Sequence, residues 1–365
     1  MNARFRVGIA GAGSIALGTA ALLAQRGHQP MLWSPSGRGT DGLESGVSSH
    51  GAIELFFNPR IAKSAEELVA ENQILLLALP AWGHKEVMDD LAPHIAQGQQ
   101  VIISSHASMG ALYLMRLIKT RGLSIPITAW GTTSVTGRRE AGPVVRVNTV
   151  RSKIDLCTIP EDLSKDAMAI CHQLFDDRFE PRAGLLAISL SNLNPQNHLG
   201  IALGNITRME RGEVWSQGQN VTPKVGRLLE MLDLERLAIA EKLGLKVKTI
   251  FEHFHLSFHV PVASISEMNQ QMHEQGNGGI GPATADSRYV TEDVPYGLQL
   301  TSLLGRLAER PAKLHEAGIE IFSAMYDVDF SKENNLLAAL DLEKYGLQDL
   351  QRASLTGILN YSIST

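Results

Sequence analysis

The chain has 365 residues, 44 % hydrophobic and 19 % charged, with a formal net charge of −5. These values describe an ordinary globular protein long enough for two domains, and the negative balance gives a nucleic-acid partner no electrostatic support. Two cysteines, Cys157 and Cys171, cannot build a disulfide framework and read as reduced core residues.

The N-terminus enters an apolar run at residues 5–10 within a few positions, which leaves no room for a signal peptide. No apolar run reaches membrane-spanning length, so a cytoplasmic location without a membrane partner is expected. Residues 5–10 are predicted as a strand and 17–25 as a helix, with Gly11-Ala12-Gly13-Ser14-Ile15-Ala16 between them. That order suits a dinucleotide pyrophosphate. The first glycine permits the turn, the second lets backbone approach the phosphates, and the small third residue lets helix pack close to strand. The helix N-terminus adds free N–H groups and the positive end of its dipole. The alternative is a plain glycine turn.

A second strand spans 29–34. Its end carries Ser34, followed by Ser36 and Arg38, where NAD-specific sites carry a carboxylate for the ribose 2′-hydroxyl. Hydroxyls and a guanidinium suit a 2′-phosphate instead, so NADP is favoured with NAD second, against the alternative of a merely polar turn. Residues 72–80 read as a strand buried on both faces, as parallel sheets require. Helix 83–95, strand 101–105, helix 109–121 and strands 125–130, 144–148 and 154–158 follow. The fold class is therefore α/β, with a doubly wound Rossmann domain over 1–182. The predicted cofactor set is Gly11, Ala12, Gly13, Ser14, Ile15, Ser34, Arg38, Leu79, Pro80 and Thr133.

From about Gly184 the apolar period becomes helical. Residues 225–240 form a long amphipathic helix, 298–308 and 312–317 form others with Pro311 near a first turn, and 276–282 read as a flexible glycine loop. The second domain, 183–365, is expected to be all-α. His198 lies in 191–200, with Asn194 four residues earlier on the same helix face. Reduction of a carbonyl or imine by a nicotinamide needs a proton donor, and histidine titrates near neutrality. A carboxylate should orient it. The cluster at 286–298 offers Glu292 or Asp293 for that task and Arg288 to grip a substrate carboxylate, although an acidic helix start is an equal reading. His253, His255 and His259 resemble a metal cluster, with 255 and 259 on one helix face. They lack the glutamate and cysteine neighbours of zinc sites, so a pocket or surface role is expected and no metal.

Five motifs together resemble the octopine/nopaline (opine) dehydrogenase family over most of the chain. They are Gly11-x-Gly13-x-x-Ala16; Leu79-Pro80-Ala81-x-x-His84; Asn194-Pro195-x-x-His198; Thr222-Pro223-x-Val225 followed by Asp233-x-Glu235-Arg236; and Arg288-Tyr289-x-x-Glu292-Asp293-Val294-Pro295-x-Gly297-Leu298. The resemblance implies that His198 is the acid/base, that Asp293 pairs with it, and that Arg288 lies by the substrate; Asn194 is a further substrate-binding candidate. It also implies reductive condensation of a 2-oxo acid with an amine or amino acid, with hydride transferred to an imine. Three departures stand out: Leu199 where the family often has proline, a glycine-poor loop at 104–110, and Trp130-Gly131 before Thr132-Thr133. The last two alter the walls around nicotinamide and substrate. The alternatives are a ketopantoate-like 2-oxo acid reductase, which would use a lysine such as Lys224, Lys242, Lys246 or Lys248, and a non-catalytic NADPH-binding sensor. A homodimer is expected.

Overall fold

The computed structural model describes residues 4–360. The first half runs β1 (Arg6–Ala10), α1 (Ser14–Gln25), β2 (Gln29–Trp33), β3 (Val47–Gly51), β4 (Leu55–Phe57), β5 (Arg60–Ile61), α2 (Ala65–Ala70), β6 (Ile74–Leu77), α3 (His84–Leu91), β7 (Gln100–Ile103), α4 (Gly110–Lys119), β8 (Ile127–Trp130), β9 (Val135–Arg139), β10 (Val144–Val150), β11 (Ile154–Ile159), α5 (Ser164–Phe175), β12 (Phe179–Pro181) and α6 (Gly184–Ser191). The main sheet has the order β12-β11-β8-β7-β6-β1-β2-β5. Its neighbours are parallel except β8 and β11, which pair antiparallel with Ile127 opposite Ile159. Every residue of β6 and β7 is buried, because helices cover both faces of a doubly wound sheet. This is the Rossmann-type α/β domain expected from the sequence.

One strand falls elsewhere. Residues 144–148, read as part of the doubly wound sheet, lie in β10 of a separate four-stranded sheet ordered β4-β3-β10-β9. The physical reason is visible in its alternation. Val145 and Val147 are buried while Arg146 and Asn148 are exposed, the pattern of a sheet with one wet face. Its dry face rests on α1, where Val135 and Val147 close over Gly18. The half-exposed partners β3, β4 and β9 escaped sequence reading.

The second half is helical: α7 (Asn194–Glu210), α8 (Pro223–Lys242), α9 (Ile250–Phe258), α10 (Ile265–Glu274), α11 (Arg288–Thr291), a π-helical turn at Val294–Leu298, α12 (Gln299–Leu307), α13 (Lys313–Tyr326), α14 (Asn335–Leu340) and α15 (Leu347–Thr356). Proline opens α8, and capping boxes at Thr249/Glu252 and Ser264/Glu267 open α9 and α10. Pro311 precedes the N-cap Ala312 rather than sitting inside the first turn, and α13 runs past the expected end at 317. Gly318, just past that expected end, is an interior contact: a Cβ there would lie 1.9 Å from Leu199 Cδ1. The glycine loop at 276–282 is tied down, with Gly281 N–H bonded to Trp215 O.

Two compact units result, Met1–Ser189 with Gln348–Thr365, and Leu190–Leu347. The helical domain expected over 183–365 thus gives up both ends, most of α6 and α15, to the α/β unit. The cause is local packing: Gly184 lies against Ser354, and Gly357 against Met115 and Ile159. Cys157 and Cys171 are buried and unbridged. Among the described residues no helix is long and apolar enough to cross a membrane.

Candidate active site

The glycine turn has the geometry that a dinucleotide needs. Gly11 adopts φ +132°, and a Cβ there would stand 2.3 Å from Ala78 O, so only glycine brings β1 this close to the end of β6. Gly13 is the opposite case. A Cβ there would meet nothing within 4 Å, which leaves the face over the turn open for a ligand. Gly13 is also the N-cap of α1 and places no side chain on the first-turn N–H groups of this 12-residue helix. Ala12 and Ala16 are buried, Ser14 and Ile15 half-buried. The loop after β2 folds back onto the turn: a Cβ on Gly39 would lie 2.9 Å from Ser34 Oγ and 3.1 Å from Ala12 Cβ. Ser34 Oγ lies 3.4 Å from Ser36 Oγ, and Arg38 is exposed. These residues fit a nicotinamide dinucleotide.

The remaining cofactor candidates serve the backbone. Leu79 O accepts from His84 Nε2–H at 3.0 Å, Pro80 opens a short 3-10 turn at Ala81–Gly83, and Thr133 Oγ1 donates to Val135 O at 2.6 Å. His84 and His106 are buried and neutral. Burial lowers the first to about 4 and the second to about 3, with the neighbouring imidazole adding to the second shift. His106 Nε2 accepts from Ala111 N–H at 3.2 Å and so caps α4.

The His198–Asp293 pair forms wholly inside Leu190–Leu347. Pro195 sits in the first turn of α7, which sets His198 one turn further along. Asp293 lies just past the short α11 segment and is the N-cap of the π turn. The two segments interlock, since a Cβ on Gly297 would lie 2.2 Å from Pro195 Cγ. Any other residue at 297 would push the π turn off α7. The outcome is a 2.7 Å hydrogen bond from His198 Nδ1–H to Asp293 Oδ2, with side chains 14 % and 11 % exposed. This bond fixes the tautomer and leaves Nε2 without a partner among the described residues.

Tyr289, which the sequence reading did not assign to the site, lies flat on His198, with ring centroids 3.5 Å apart and planes at 9°. Its hydroxyl donates to Gln217 Oε1 at 2.6 Å. Burial, then the Asp293 charge, pushes its pKa up to about 12, so it stays a neutral shelf. A second network anchors α7. Gln196 donates to Asp233 Oδ1 at 2.9 Å, and the same oxygen takes Arg236 Nη2–H at 2.7 Å. Arg236 also reaches Leu190 O and Lys248 O, while Ile250 N–H bonds Asp233 Oδ2.

The structure does not bond Arg288 or Asn194 to this pair. Arg288 is exposed, with Nε 3.5 Å from Glu292 Oε2, and Asn194 is exposed with its N–H bonded to Asn192 Oδ1. The histidine cluster is not a helix face. α9 stops at Phe258, His259 takes the left-handed conformation, and His255 Nδ1–H bonds Val260 O at 2.8 Å. Among the described residues no group of side chains could hold a metal ion. Tyr289 and Gln217 lie far apart in sequence, and only the Arg-Tyr motif hinted at the first.

A doubly wound nucleotide unit and a helical unit carrying a histidine–carboxylate pair define a nicotinamide-dependent oxidoreductase plan. Residues 181–326 match the family model described as NAD/NADP octopine/nopaline dehydrogenase, alpha-helical domain, and residues 7–145 match ketopantoate reductase PanE/ApbA. A curated opine dehydrogenase from Arthrobacter sp. (strain 1C) is 29 % identical over 352 residues, covering 92 % of this chain and 93 % of the relative. An octopine dehydrogenase solved with NADH and agmatine superposes with TM-score 0.80 at 16 % identity over 98 % of this chain and 99 % of that one. A yersinopine dehydrogenase with NADP+ bound gives 0.68 at 16 % identity over 97 % and 98 %. These matches support an NAD(P)-dependent oxidoreductase of the opine dehydrogenase kind, acting on CH–NH bonds, with the octopine/nopaline dehydrogenase helical domain matched over residues 181–326.

Proposed function

We propose that this chain catalyses the reductive condensation of a 2-oxo acid with an amine or amino acid, giving a secondary amine, with NADP preferred over NAD. The observation that carries the reading is the 2.7 Å His198–Asp293 bond beneath the Tyr289 ring. Ketone and amine first lose water to form an imine. His198, as the imidazolium, gives its Nε2 proton to the departing hydroxyl and takes the amine N–H proton back at Nε2 as the imine forms. A nicotinamide dinucleotide held at the Gly11–Ala16 turn would supply hydride to the imine carbon. The amine nitrogen then needs one proton, which His198 again delivers. Asp293 keeps Nδ1–H engaged and offsets the imidazolium charge. Tyr289 holds the ring plane without titrating below about pH 12. Arg288 is assigned a substrate carboxylate, for which its exposed guanidinium would exchange Glu292, and Asn194 a polar contact at the start of α7.

The cofactor preference rests on Ser34, Ser36 and Arg38, a set with no carboxylate to repel a 2′-phosphate. The reaction resembles the one named by the curated relative, and solved neighbours carry NADH with arginine or with pyruvate. A lysine-based 2-oxo acid reductase finds no support, because Lys224, Lys242, Lys246 and Lys248 are all exposed. The test is NADPH oxidation with paired oxo acids and amines. Turnover is expected only when both are present, and His198→Ala should lose about 10²–10⁴-fold in rate with NADPH affinity retained. An unchanged rate would remove His198 from the mechanism.

A further inference from the structure

Arg139 ends β9, in the small sheet, far in sequence from the β2 loop where phosphate recognition was expected. Its backbone N–H donates to Ser14 Oγ at 2.9 Å. Its Nη1 group donates twice, to Ala12 O at 2.8 Å and to Gly39 O at 2.6 Å. Ala12 belongs to the glycine turn and Gly39 to the loop after β2. In doubly wound sheets those two segments flank the adenosine ribose of a dinucleotide. The guanidinium therefore clamps both sides of the ribose position from a third element.

Its donors are only partly used. A guanidinium has five N–H groups, and Nη1 accounts for two. The three left are Nε–H and the pair on Nη2, which form the planar edge that meets a phosphate through parallel bonds. Among the described residues no group bonds that edge, and no carboxylate pairs with Arg139. The residue is half-buried and held by three bonds, whereas Arg38 is exposed and unheld. A fixed guanidinium loses less freedom on binding than a mobile one.

We propose that Arg139 is the specificity-determining residue for the adenosine 2′-phosphate, its Nε/Nη2 edge taking the phosphate while Ser34 and Ser36 offer hydroxyls. This rests on the NADP reading above. The small sheet then delivers to the nucleotide a fixed cation, beside the exposed Arg38 of the loop after β2.

The test is direct binding, followed by nicotinamide fluorescence, of NADPH and NADH to the full chain and to Arg139→Gln and Arg139→Lys. Adenosine 2′,5′-bisphosphate and 5′-AMP serve as competitors without a nicotinamide. Arg139→Gln should weaken NADPH and the bisphosphate by about 10- to 100-fold, and NADH and 5′-AMP by less than about 3-fold. Arg139→Lys keeps the charge without the fork and should fall between. It also stands in if the glutamine variant fails to fold. Equal losses for both nucleotides would mean that Arg139 only holds the backbone, and would overturn the proposal. A clear NADH preference in the unaltered chain would overturn it too. Catalysis by the His198–Asp293 pair is read separately, from turnover, and survives either result.

Discussion

The α/β unit prepares its site with main chain, and the helical unit with side chains. In the first, Gly11, Gly13 and the opening turn of α1 present amides and an open face, and the residues concerned are consecutive. In the second, His198 and Asp293 are 95 positions apart and meet only because Pro195 seats on Gly297. A site made of backbone tolerates change in most side chains around it. A site made of two distant side chains depends on every contact that holds their segments together.

That contrast can be broken by experiment. The largest effect is expected from Asp293→Asn. The amide no longer offsets the imidazolium charge, and kcat should fall by about 10²–10⁴-fold while NADPH affinity stays as it was. A parallel loss of nucleotide binding would show that the two units do not divide the work as described.

Next is acid. Folded His84 and His106 stay neutral down to about 4 and about 3, whereas unfolded each takes a proton near pH 6.5. Their neutral burial therefore costs nothing above pH 6.5, and the unfolded state gains protons as pH drops below it. Together the two should cost the chain about 4 kcal/mol of stability by about pH 5. Urea unfolding at a series of pH values measures it. Both histidines belong to the α/β unit, so probes there should unfold first.

Gly297→Ala sharpens the other side. The added methyl meets Pro195, and the expected cost is about 1–3 kcal/mol, seen as a lower Tm with a fall in kcat at unchanged NADPH affinity. The smallest effect comes from Thr249→Ala, which removes the cap of α9 at about 1 kcal/mol and leaves kcat alone. A kcat loss there as large as that of Gly297→Ala would mean that general loosening, not the interlock, sets the rate.

The same contrast explains what could be read from the sequence. The glycine turn, the all-buried β6 and the long helix α8 were legible because short-range pattern dictates them. The acid/base pair was legible as motifs whose partnership the family resemblance implied. The small sheet was not, since β3, β4 and β9 are short and half-exposed, and their pairing is decided by α1 beneath them. The continuation of α13 past 317 was not legible, since Gly318 packs against Leu199, more than a hundred residues away. Tyr289 and Arg139 act through a ring stack and a clamp that exist only after the chain has folded.

The imidazole, its carboxylate, the ring shelf and the anchoring network at Asp233 all lie within a single continuous stretch, Leu190–Leu347. The geometry proposed for proton handling thus lies within one unit. Imidazole ionisation can be followed by NMR in the empty protein. Its distance from the kinetic pKa under turnover then measures how strongly bound reactants retune a proton donor that was poised without them.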